Sequence, residues 1–128
     1  MADDCCDSFG GKIYITAGGV RLTPAEGDIT IRPTRGEVTA TANQDGSASY
    51  STAPRLVGAS ITFRDGCSIT WEDWMQRCKL DVTITEEDNG RQHLFSRTRF
   101  VGRPEVNFTN GQVTGISIEG GVYQKVTK

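Results

Sequence analysis

The chain has 128 residues, of which 36% are hydrophobic and 23% are charged, and its formal net charge is −2. This length fits one domain that buries a core of its own, and the composition is typical of globular domains. The small negative charge excludes a broadly basic surface that would hold nucleic acid by counterion release. No apolar stretch is long enough to span a bilayer, so no membrane partner is expected.

The first ten residues are predicted to form a flexible arm. Met1-Ala2-Asp3-Asp4 is acidic and precedes no apolar run, so we expect no secretory signal and folding in a reducing cytoplasm. The cysteines are Cys5, Cys6, Cys67 and Cys78. Zinc ligands usually come in closely spaced pairs on either side of a turn, and these four do not. Reduced thiols and no metal site are therefore predicted.

Alternation of apolar and polar residues predicts strands along most of the chain. The alternating apolar residues are Ile13 and Ile15; Ile29 and Ile31; Ala59, Ile61 and Phe63; Leu80, Val82 and Ile84; and Ile116, Ile118 and, across Gly120, Val122. Each set predicts a strand with one buried and one exposed face. Fifteen glycines, many of them in turn-like clusters, predict many turns. The fold is therefore predicted to be mainly β.

The segment Pro33–Ala53 differs from the rest because its residues are small and polar, with Val38 and Tyr50 as the main exceptions. Such a segment buries too little apolar surface to order itself, and long loops in compact domains are usually functional or disordered. Two interpretations stay open. The segment is either a surface loop without order, or an extended hairpin or loop that becomes ordered against a neighbouring subunit.

One short helix is predicted between the strands. Its apolar stripe consists of Trp71, Trp74, Met75 and Cys78. These positions lie on one face of an α-helix, with Thr70 as the predicted N-cap and Asp73 completing a capping-box-like pair. Two turns are too short to be stable alone in water, so the stripe is predicted to pack on the sheet as core. An aromatic ligand platform is the less favoured alternative.

Two Asn-Gly pairs in the C-terminal half predict consecutive hairpins with type I′ turns. The first, Asn89-Gly90, lies between predicted strands Lys79–Glu86 and Gln92–Val101. The second, Asn110-Gly111, lies between Glu105–Phe108 and Gln112–Glu119.

The His93–Val101 part alternates poorly, because Phe95 and Val101 share a face with Arg97 and Arg99. A strand of this kind is predicted to have protein on both faces, or a lumen on one.

Residues that could carry catalysis are few. His93 is the single histidine and lies in a predicted strand, where it is more often a sheet residue than a base. Glu86-Glu87-Asp88 is an acidic cluster in a predicted exposed turn, with nothing to separate the pKa values of its carboxyl groups. No phosphate loop or nucleophile elbow occurs. No catalytic or cofactor-binding residue is assigned, and an assembly or binding module is favoured.

The order of elements follows a recognisable course. It runs through Gly11-Lys12-Ile13-Tyr14-Ile15, Val20-Arg21-Leu22, Asp28–Pro33, the polar segment to Ala53-Pro54-Arg55, Leu56–Arg64, Thr70–Arg77, Phe100-Val101-Gly102-Arg103-Pro104-Glu105 and Asn110-Gly111. This order resembles the tail tube proteins of long-tailed phages, in particular the Mu-like family. The resemblance covers roughly Gly11 to Tyr123.

The resemblance implies an antiparallel β-sandwich or barrel-like fold with one flanking helix, in one domain over residues 11–128. It also implies hexameric rings stacked into a hollow tube that carries DNA at ejection. The implied partners are further copies of the chain, a tape measure protein, and tail terminator and baseplate or initiator proteins; a sheath protein is left open. DNA would pass without specific binding. The implied location is the virion tail, assembled in the host cytoplasm, and no enzymatic activity is implied.

The resemblance also makes residues 33–53 the element that stacks one ring on the next. Its predicted inter-subunit residues are Arg35, Glu37, Thr39, Asn43, Asp45 and Tyr50. A neutral-to-acidic lumen is expected, because a basic one would retain DNA. Three alternatives stay open: a type VI secretion-like tube, a small β-sandwich ligand or carbohydrate binder, and, least favoured, a hydrolase with an unrecognised site.

Overall fold

The structure is a computed structural model that describes residues 11–25, 29–66 and 69–127. Its elements are β1 (Ile13–Ala17), β2 (Val20–Leu22), β3 (Thr30–Arg32), β4 (Gly36–Ala42), β5 (Ala48–Pro54), β6 (Gly58–Ser60), β7 (Phe63–Arg64), α1 (Trp71–Gln76), β8 (Leu80–Glu86), β9 (Arg91–Asn107), β10 (Gln112–Glu119) and β11 (Val122–Thr127). The predicted arm, residues 1–10, lies outside the described residues. In the described part, no helix has the length and apolar character to cross a membrane.

The longest strand, β9, belongs to two antiparallel sheets. Its first half, residues 91–98, pairs with β8 on one side, and β11 pairs with the same half on the other. The first sheet therefore has the order β2-β1-β8-β9-β11. The second half of β9, residues 99–107, pairs with β10, which continues to β6 and β3 and also pairs with β7. The sequence had placed two separate strands where this single strand of 17 residues lies.

The two sheets close into a barrel at the stretch that follows β2. The Arg64 amide donates to the Thr23 carbonyl at 2.8 Å, and the Ala25 amide donates to the Thr62 carbonyl at 2.8 Å. Pro24 and Phe63 form the bridge between these bonds. The predicted class, a mainly β, antiparallel, barrel-like fold with one short helix, is thus confirmed.

The core fills the space between the two sheets. Its most deeply buried large side chains are Ile15, Leu22, Phe63, Val82, Ile84, Phe95, Val113 and Ile118. Most of the alternating residues predicted to face inward are in this cluster or pack against it. Burial of these side chains stabilises the fold by about 1.5–3 kcal/mol for each large apolar residue.

A bulge explains the poor alternation in β9. Leu80 pairs with Thr98 but Val82 pairs with Phe95, so β9 has one residue more than β8 in this interval. Arg97 lies in the bulge with φ of 60°, and its amide donates to Asp81 Oδ1 at 3.2 Å. An extra residue reverses which positions face the core. The odd-numbered positions 91, 93 and 95 are buried before the bulge, and 98 and 100 are buried after it.

The same bulge makes the prediction for Val122 wrong. The register between β10 and β9 continues into β11, since Glu119 pairs with Arg99 and Val122 pairs with Ser96. Val122 therefore lies opposite an exposed residue of the bulge, and 47% of its surface is exposed. The connecting Gly120-Gly121 pair has φ values of 96° and 79°, which favour glycine.

Both predicted hairpins form, but their turns are not type I′. Each loop has four residues, because Glu86 pairs with Arg91 and Asn107 pairs with Gln112. Only the glycine of each Asn-Gly pair has positive φ, 69° at Gly90 and 71° at Gly111. A type I′ turn needs positive φ at both central residues. Strand β9 ends at Asn107. Phe108 was predicted to lie inside a strand and instead lies in the turn.

The helix covers part of the barrel with its two tryptophans. Trp71 and Trp74 are buried, so they are core residues and not an exposed ligand platform. Met75 is partly buried and packs against this core. Cys78 was predicted on the buried stripe and is instead exposed. The reason is that the helix ends at Gln76 and Arg77 is already extended, so the helical period stops before Cys78.

The predicted capping box does not form. Thr70 is the N-cap residue, but its side chain makes no capping hydrogen bond. Asp73 instead accepts from Arg77 Nη2 at 3.1 Å. Trp71 Nε1 donates to Asp65 Oδ1 at 2.9 Å, and Trp74 meets Phe100 edge to face at 6.1 Å between ring centroids. Tertiary packing by the tryptophans therefore holds this short helix in place.

Candidate functional site

The segment 33–53 contains a β-hairpin that projects from the barrel. Strands β4 and β5 pair with each other from Gly36 with Pro54 to Ala42 with Ala48, and form a sheet of their own. Residues 37–52 are exposed on both faces. Of the two interpretations of this segment, the structure has the extended hairpin. An isolated two-stranded hairpin is marginally stable, so its ordering by neighbouring subunits stays a prediction.

The two faces of the hairpin differ in chemistry, because side chains alternate along a strand. Val38 and Ala40 share one face with their cross-strand partners Thr52 and Tyr50. The opposite face carries Glu37, Thr39, Thr41, Ser49 and Ser51. Val38 is 65% exposed and Tyr50 is 72% exposed. The hairpin thus displays one apolar face and one polar face, although nothing in the described chain covers either of them.

The tip of the hairpin is held by side chains of its own. Asp45 Oδ1 accepts from the Ser47 amide at 3.0 Å and from the Ser47 hydroxyl at 2.6 Å. These bonds hold the pKa of Asp45 below its ordinary value. Asn43 Nδ2 donates to Ser47 Oγ and Ser49 Oγ, and Gly46 adopts φ of 87°. The predicted residues Asn43 and Asp45 therefore shape the tip.

The base of the hairpin is held by Arg55. Its amide donates to the Arg35 carbonyl at 2.8 Å, and its Nε contacts Glu37 Oε1 at 2.9 Å. Glu37, predicted as a charged inter-subunit residue, thus already has a partner in its own subunit. Both side chains are 59% exposed, so this pair contributes little to stability.

The six predicted inter-subunit residues do not form one surface. Arg35 lies at the base, Glu37 and Thr39 lie on the polar face, Asn43 and Asp45 lie at the tip, and Tyr50 lies on the apolar face. The structure brings Glu37 and Thr39 together and separates both from Tyr50.

An open groove lies where the hairpin leaves the barrel. It has a volume of about 720 Å³, and its apolar part is formed by Ile31, Pro33, Pro54 and Leu56. Leu56 is 62% exposed. Sequence reasoning missed this groove. The available signal was a proline at each end of the polar segment with a large aliphatic residue two positions away.

Several strand edges lack a strand partner in the part of the chain that the structure describes, and two of them belong to β9 and β11. Residues 99–107 of β9 pair with β10 on one side only. Strand β11 pairs with β9 and with no other strand in that part. Such edges present unpaired amide and carbonyl groups and invite pairing with another chain.

His93 joins three strands through a polar cluster. Its Nε2 lies 2.6 Å from Glu86 Oε2, and its Nδ1 lies 2.7 Å from the Tyr123 hydroxyl. Arg91 Nη2 also contacts Glu86 Oε1 at 3.1 Å. Both ring nitrogens of His93 are thus engaged within the sheet, which is the predicted role of a sheet residue.

The electrostatics of this cluster centre on Glu86. Burial raises its pKa, but hydrogen bonds from His93 and Asn89 and the charge of Arg91 outweigh burial, so the pKa lies below its ordinary value. Burial and the Glu86 charge raise the pKa of Tyr123. In the described ranges, no three His, Cys, Asp or Glu side chains are grouped to hold a metal ion.

A closed barrel with a projecting apolar hairpin face and open strand edges is the form of a structural subunit that assembles with further chains. A family model described as phage tail tube protein matches residues 7–124. The chain belongs to the phage tail tube protein family. It is a structural tube subunit and a component of the virion tail. No curated protein matches the sequence significantly.

Solved structures from contractile injection systems share the fold. A chain from the sheath–tube complex of an extracellular contractile injection system in the extended state aligns with a TM-score of 0.61 at 13% identity, over 91% of this chain and 89% of that one. The sheath/tube terminator structure of the same kind of system aligns at 0.60 and 12%, over 91% and 94%. The tube-terminating cap of the anti-feeding prophage aligns at 0.59 and 12%, over 98% and 97%.

Proposed function

We propose that this chain forms hexameric rings that stack into the hollow tube through which the phage genome leaves. The observation that carries the proposal is the projecting hairpin, whose apolar face, with Val38 65% and Tyr50 72% exposed, is uncovered in the subunit. Within a monomer, the alternating apolar and polar pattern of this hairpin adds little stability, because residues 37–52 are exposed. A neighbouring subunit that covers this face gains the hydrophobic free energy of its burial.

Ring formation follows from the open strand edges. The unpaired edge of β9 at residues 99–107 and that of β11 at Val122–Thr127 lie on opposite sides of the β9 ladder. Two different edges that meet between copies make a head-to-tail contact, which closes into a ring when the rotation permits. Closure removes edges that would make a free monomer prone to aggregation.

Stacking is assigned to the hairpin. Tyr50 on its apolar face makes the central contact with the next ring, and Thr39 and Glu37 on the polar face contact a different part of that ring. Arg35, Asn43 and Asp45 complete the contact at the base and the tip. The two chemically different faces support this assignment, because a hairpin inserted between neighbours needs a partner for each face.

The remaining partners follow from this role. The tape measure protein fills the lumen before ejection, and terminator and baseplate or initiator proteins close the tube. Likeness to a sheath–tube complex and to a terminator supports a sheath and a terminator as partners. The subunit assembles in the host cytoplasm, uses no cofactor and catalyses no reaction. The lumen is neutral to acidic, so a gel shift at low salt is expected to show no tight duplex binding.

Negative-stain microscopy of concentrated purified protein tests this function. Rings with sixfold symmetry and tubes are expected, and hydrogen exchange over residues 33–53 is expected to slow in tubes relative to the monomer. A protein that remains monomeric at every concentration and is missing from purified virions would contradict the proposal.

A second candidate is the tube of a contractile injection system that delivers protein. The observation that favours it is the likeness to structures from such systems. Particles that contain this chain and a DNA-filled head would exclude it, whereas headless particles would support it.

A further inference from the structure

The turn between β9 and β10 carries the most exposed large apolar side chain of the described residues, Phe108, at 96% exposure. The exposed Phe108 side chain adds no buried apolar surface to the subunit. It lies outside the hairpin and outside the open edges of β9 and β11. Isolated exposed apolar residues are common, so exposure alone assigns no role. The hydrogen bonds of this turn and its position relative to the groove at the hairpin base indicate a role for Phe108.

Hydrogen bonds fix the Phe108 turn on both sides. Within the turn, the Thr109 amide donates to Asn107 Oδ1 at 2.9 Å, and the Gln112 amide donates to Asn110 Oδ1 at 3.1 Å. A turn with this many bonds holds the backbone that carries Phe108 in one position. An anchor that is ordered before binding loses less entropy when a partner covers it.

The barrel also holds the turn from outside. The Asp65 amide donates to the Gly111 carbonyl at 2.8 Å, and Arg64 Nη1 donates to the Asn110 carbonyl. Both donors lie in or next to β7, which pairs with β10.

The Phe108 turn and the groove at the hairpin base lie at opposite ends of one strand. Strand β10 begins at Gln112, directly after the turn, and ends at Glu119, which lines the groove. The eight residues of this strand separate the two features by about 25 Å. An apolar projection at one end and an apolar recess at the other are the two halves of a head-to-tail contact.

The groove suits an uncharged apolar occupant. Its apolar part consists of Ile31, Pro33, Pro54 and Leu56. The charged residues at its rim are already paired, Arg32 with Glu119 at 3.7 Å and Arg55 with Glu37 at 2.9 Å. The turn that would enter, Phe108-Thr109-Asn110-Gly111, has no charged side chain. Entry of the turn therefore brings no charge of its own residues 108–111 into the groove, and Arg64 beside it already donates to the Asn110 carbonyl.

We propose that Phe108 of one copy of this chain inserts into the groove at the hairpin base of the next copy. This contact rests on the proposed tube function and adds a second point of attachment beside the hairpin itself. It makes Phe108 the aromatic anchor of the interface and Leu56 the main wall of its recess. Aromatic anchors in such recesses carry a large share of the free energy of association.

The first test compares Phe108→Ser and Leu56→Ser with Val20→Ser, a matched change at an exposed apolar residue that neither feature uses. Each monomer is expected to keep the wild-type melting temperature. Phe108→Ser and Leu56→Ser are each expected to raise the concentration needed for tube formation about tenfold or more, whereas Val20→Ser leaves it unchanged. Light scattering and negative-stain microscopy measure this concentration.

The second test is a thiol cross-link between copies, in a background with Cys5, Cys6, Cys67 and Cys78 replaced by serine. Phe108→Cys combined with Leu56→Cys and treated with a short bismaleimide is expected to give a ladder of covalent multimers from tubes. Phe108→Cys combined with Val20→Cys is expected to give none.

The outcomes separate the two proposals. Tubes that form normally from Phe108→Ser, or tubes without the cross-linked ladder, overturn the Phe108 contact and leave the tube function standing. A wild-type chain that forms no tubes overturns both.

Discussion

The barrel and the projecting hairpin are built from the same kind of strand pairing but have opposite relations to water. In the barrel, Phe63, Phe95 and Val82 are only 1% exposed. In the hairpin, Val38 and Tyr50 lie in equally regular pairing but remain exposed. Stability of the subunit therefore resides in the barrel, and the hairpin is free to serve contacts with other copies.

The difference between barrel and hairpin predicts that substitutions in the two regions affect different measured quantities. Barrel substitutions should lower the free energy of unfolding of the monomer and disturb assembly only because less protein is folded. Hairpin substitutions should leave the monomer unchanged and disturb assembly directly. The following changes test this comparison in order of their expected effect.

Phe63→Ala is expected to have the largest effect. The ring lies among Trp71 and Phe100, with ring centroids 5.8 Å and 5.9 Å away, so the change leaves a cavity in the barrel. The free energy of unfolding should fall by about 3–5 kcal/mol in chemical denaturation. Phe108→Ala is the matched control, since the same change at an exposed ring should alter monomer stability by less than about 0.5 kcal/mol. Equal losses in both variants would refute the division.

The glycine pair between β10 and β11 gives a second comparison. Gly120→Ala places a side chain at φ of 96° with no atom within 4 Å, so it should destabilise the monomer by about 1–2 kcal/mol through backbone strain. Gly121→Ala adds a clash, because its Cβ would lie 2.0 Å from the Ser96 carbonyl oxygen. A further loss of about 1–3 kcal/mol is expected in thermal denaturation. Similar melting temperatures for the two variants would show that the strands separate easily here.

Glu86→Gln tests the polar cluster of the first sheet. The carboxylate bonds to Arg91 and His93, so the change should lower the free energy of unfolding at neutral pH by about 1.5 kcal/mol. Because the folded-state pKa of Glu86 lies below its unfolded value, its stabilisation is present above the unfolded pKa and is lost as pH falls through the folded one.

Denaturation of wild type and Glu86→Gln at pH 7 and at about pH 3 checks this expectation. The two proteins should converge at low pH. Glu72→Gln, at an exposed helix position, is the control and should show little change at either pH. A difference in the free energy of unfolding between wild type and Glu86→Gln that persists at about pH 3 would contradict a stabilising role of the Glu86 carboxylate.

Tyr50→Ser should have the smallest effect on the monomer. The side chain is 72% exposed, so the free energy of unfolding should change by less than about 0.5 kcal/mol. Tube formation should weaken clearly, because the apolar face loses its largest contact. Val20→Ser, at an exposed apolar residue outside the hairpin and the groove, is the control for assembly. A marked fall in melting temperature with Tyr50→Ser would place the hairpin in the folding unit of the barrel.

Local alternation predicted most of the fold, because burial of one strand face leaves a period of two in the sequence. This period predicts the buried positions of Ile15, Val82 and Ile118, whereas the helix of Trp71 and Trp74 follows from the helical spacing of its apolar residues. The pattern failed where the backbone departs from a regular strand. The bulge at Arg97 reverses which face of β9 is buried. No residue type in the sequence predicts this bulge, so the strand partner of Val122 could not be inferred.

The proposed assembly surfaces could be derived from the sequence only in part. Small polar residues identified 33–53 as an unusual segment, yet the pairing of Val38 with Thr52 decides which side chains share a face. The groove beside Leu56 depends on contacts between β3, the hairpin base and Glu119, which are distant in sequence. Likewise, Phe108 belongs to a turn because β9 ends at Asn107, whereas its apolar character suggested a strand.

Strand β9 has one further consequence for how the subunit responds to stress. Strand β9 runs without a break from Arg91 to Asn107 and forms backbone hydrogen bonds in both sheets. Unfolding of one sheet therefore removes the support of the strand that the other sheet also uses. Loss of order in either half of that backbone spreads directly to the other. We therefore expect the barrel to unfold as a single cooperative unit, in which both sheets lose their structure together.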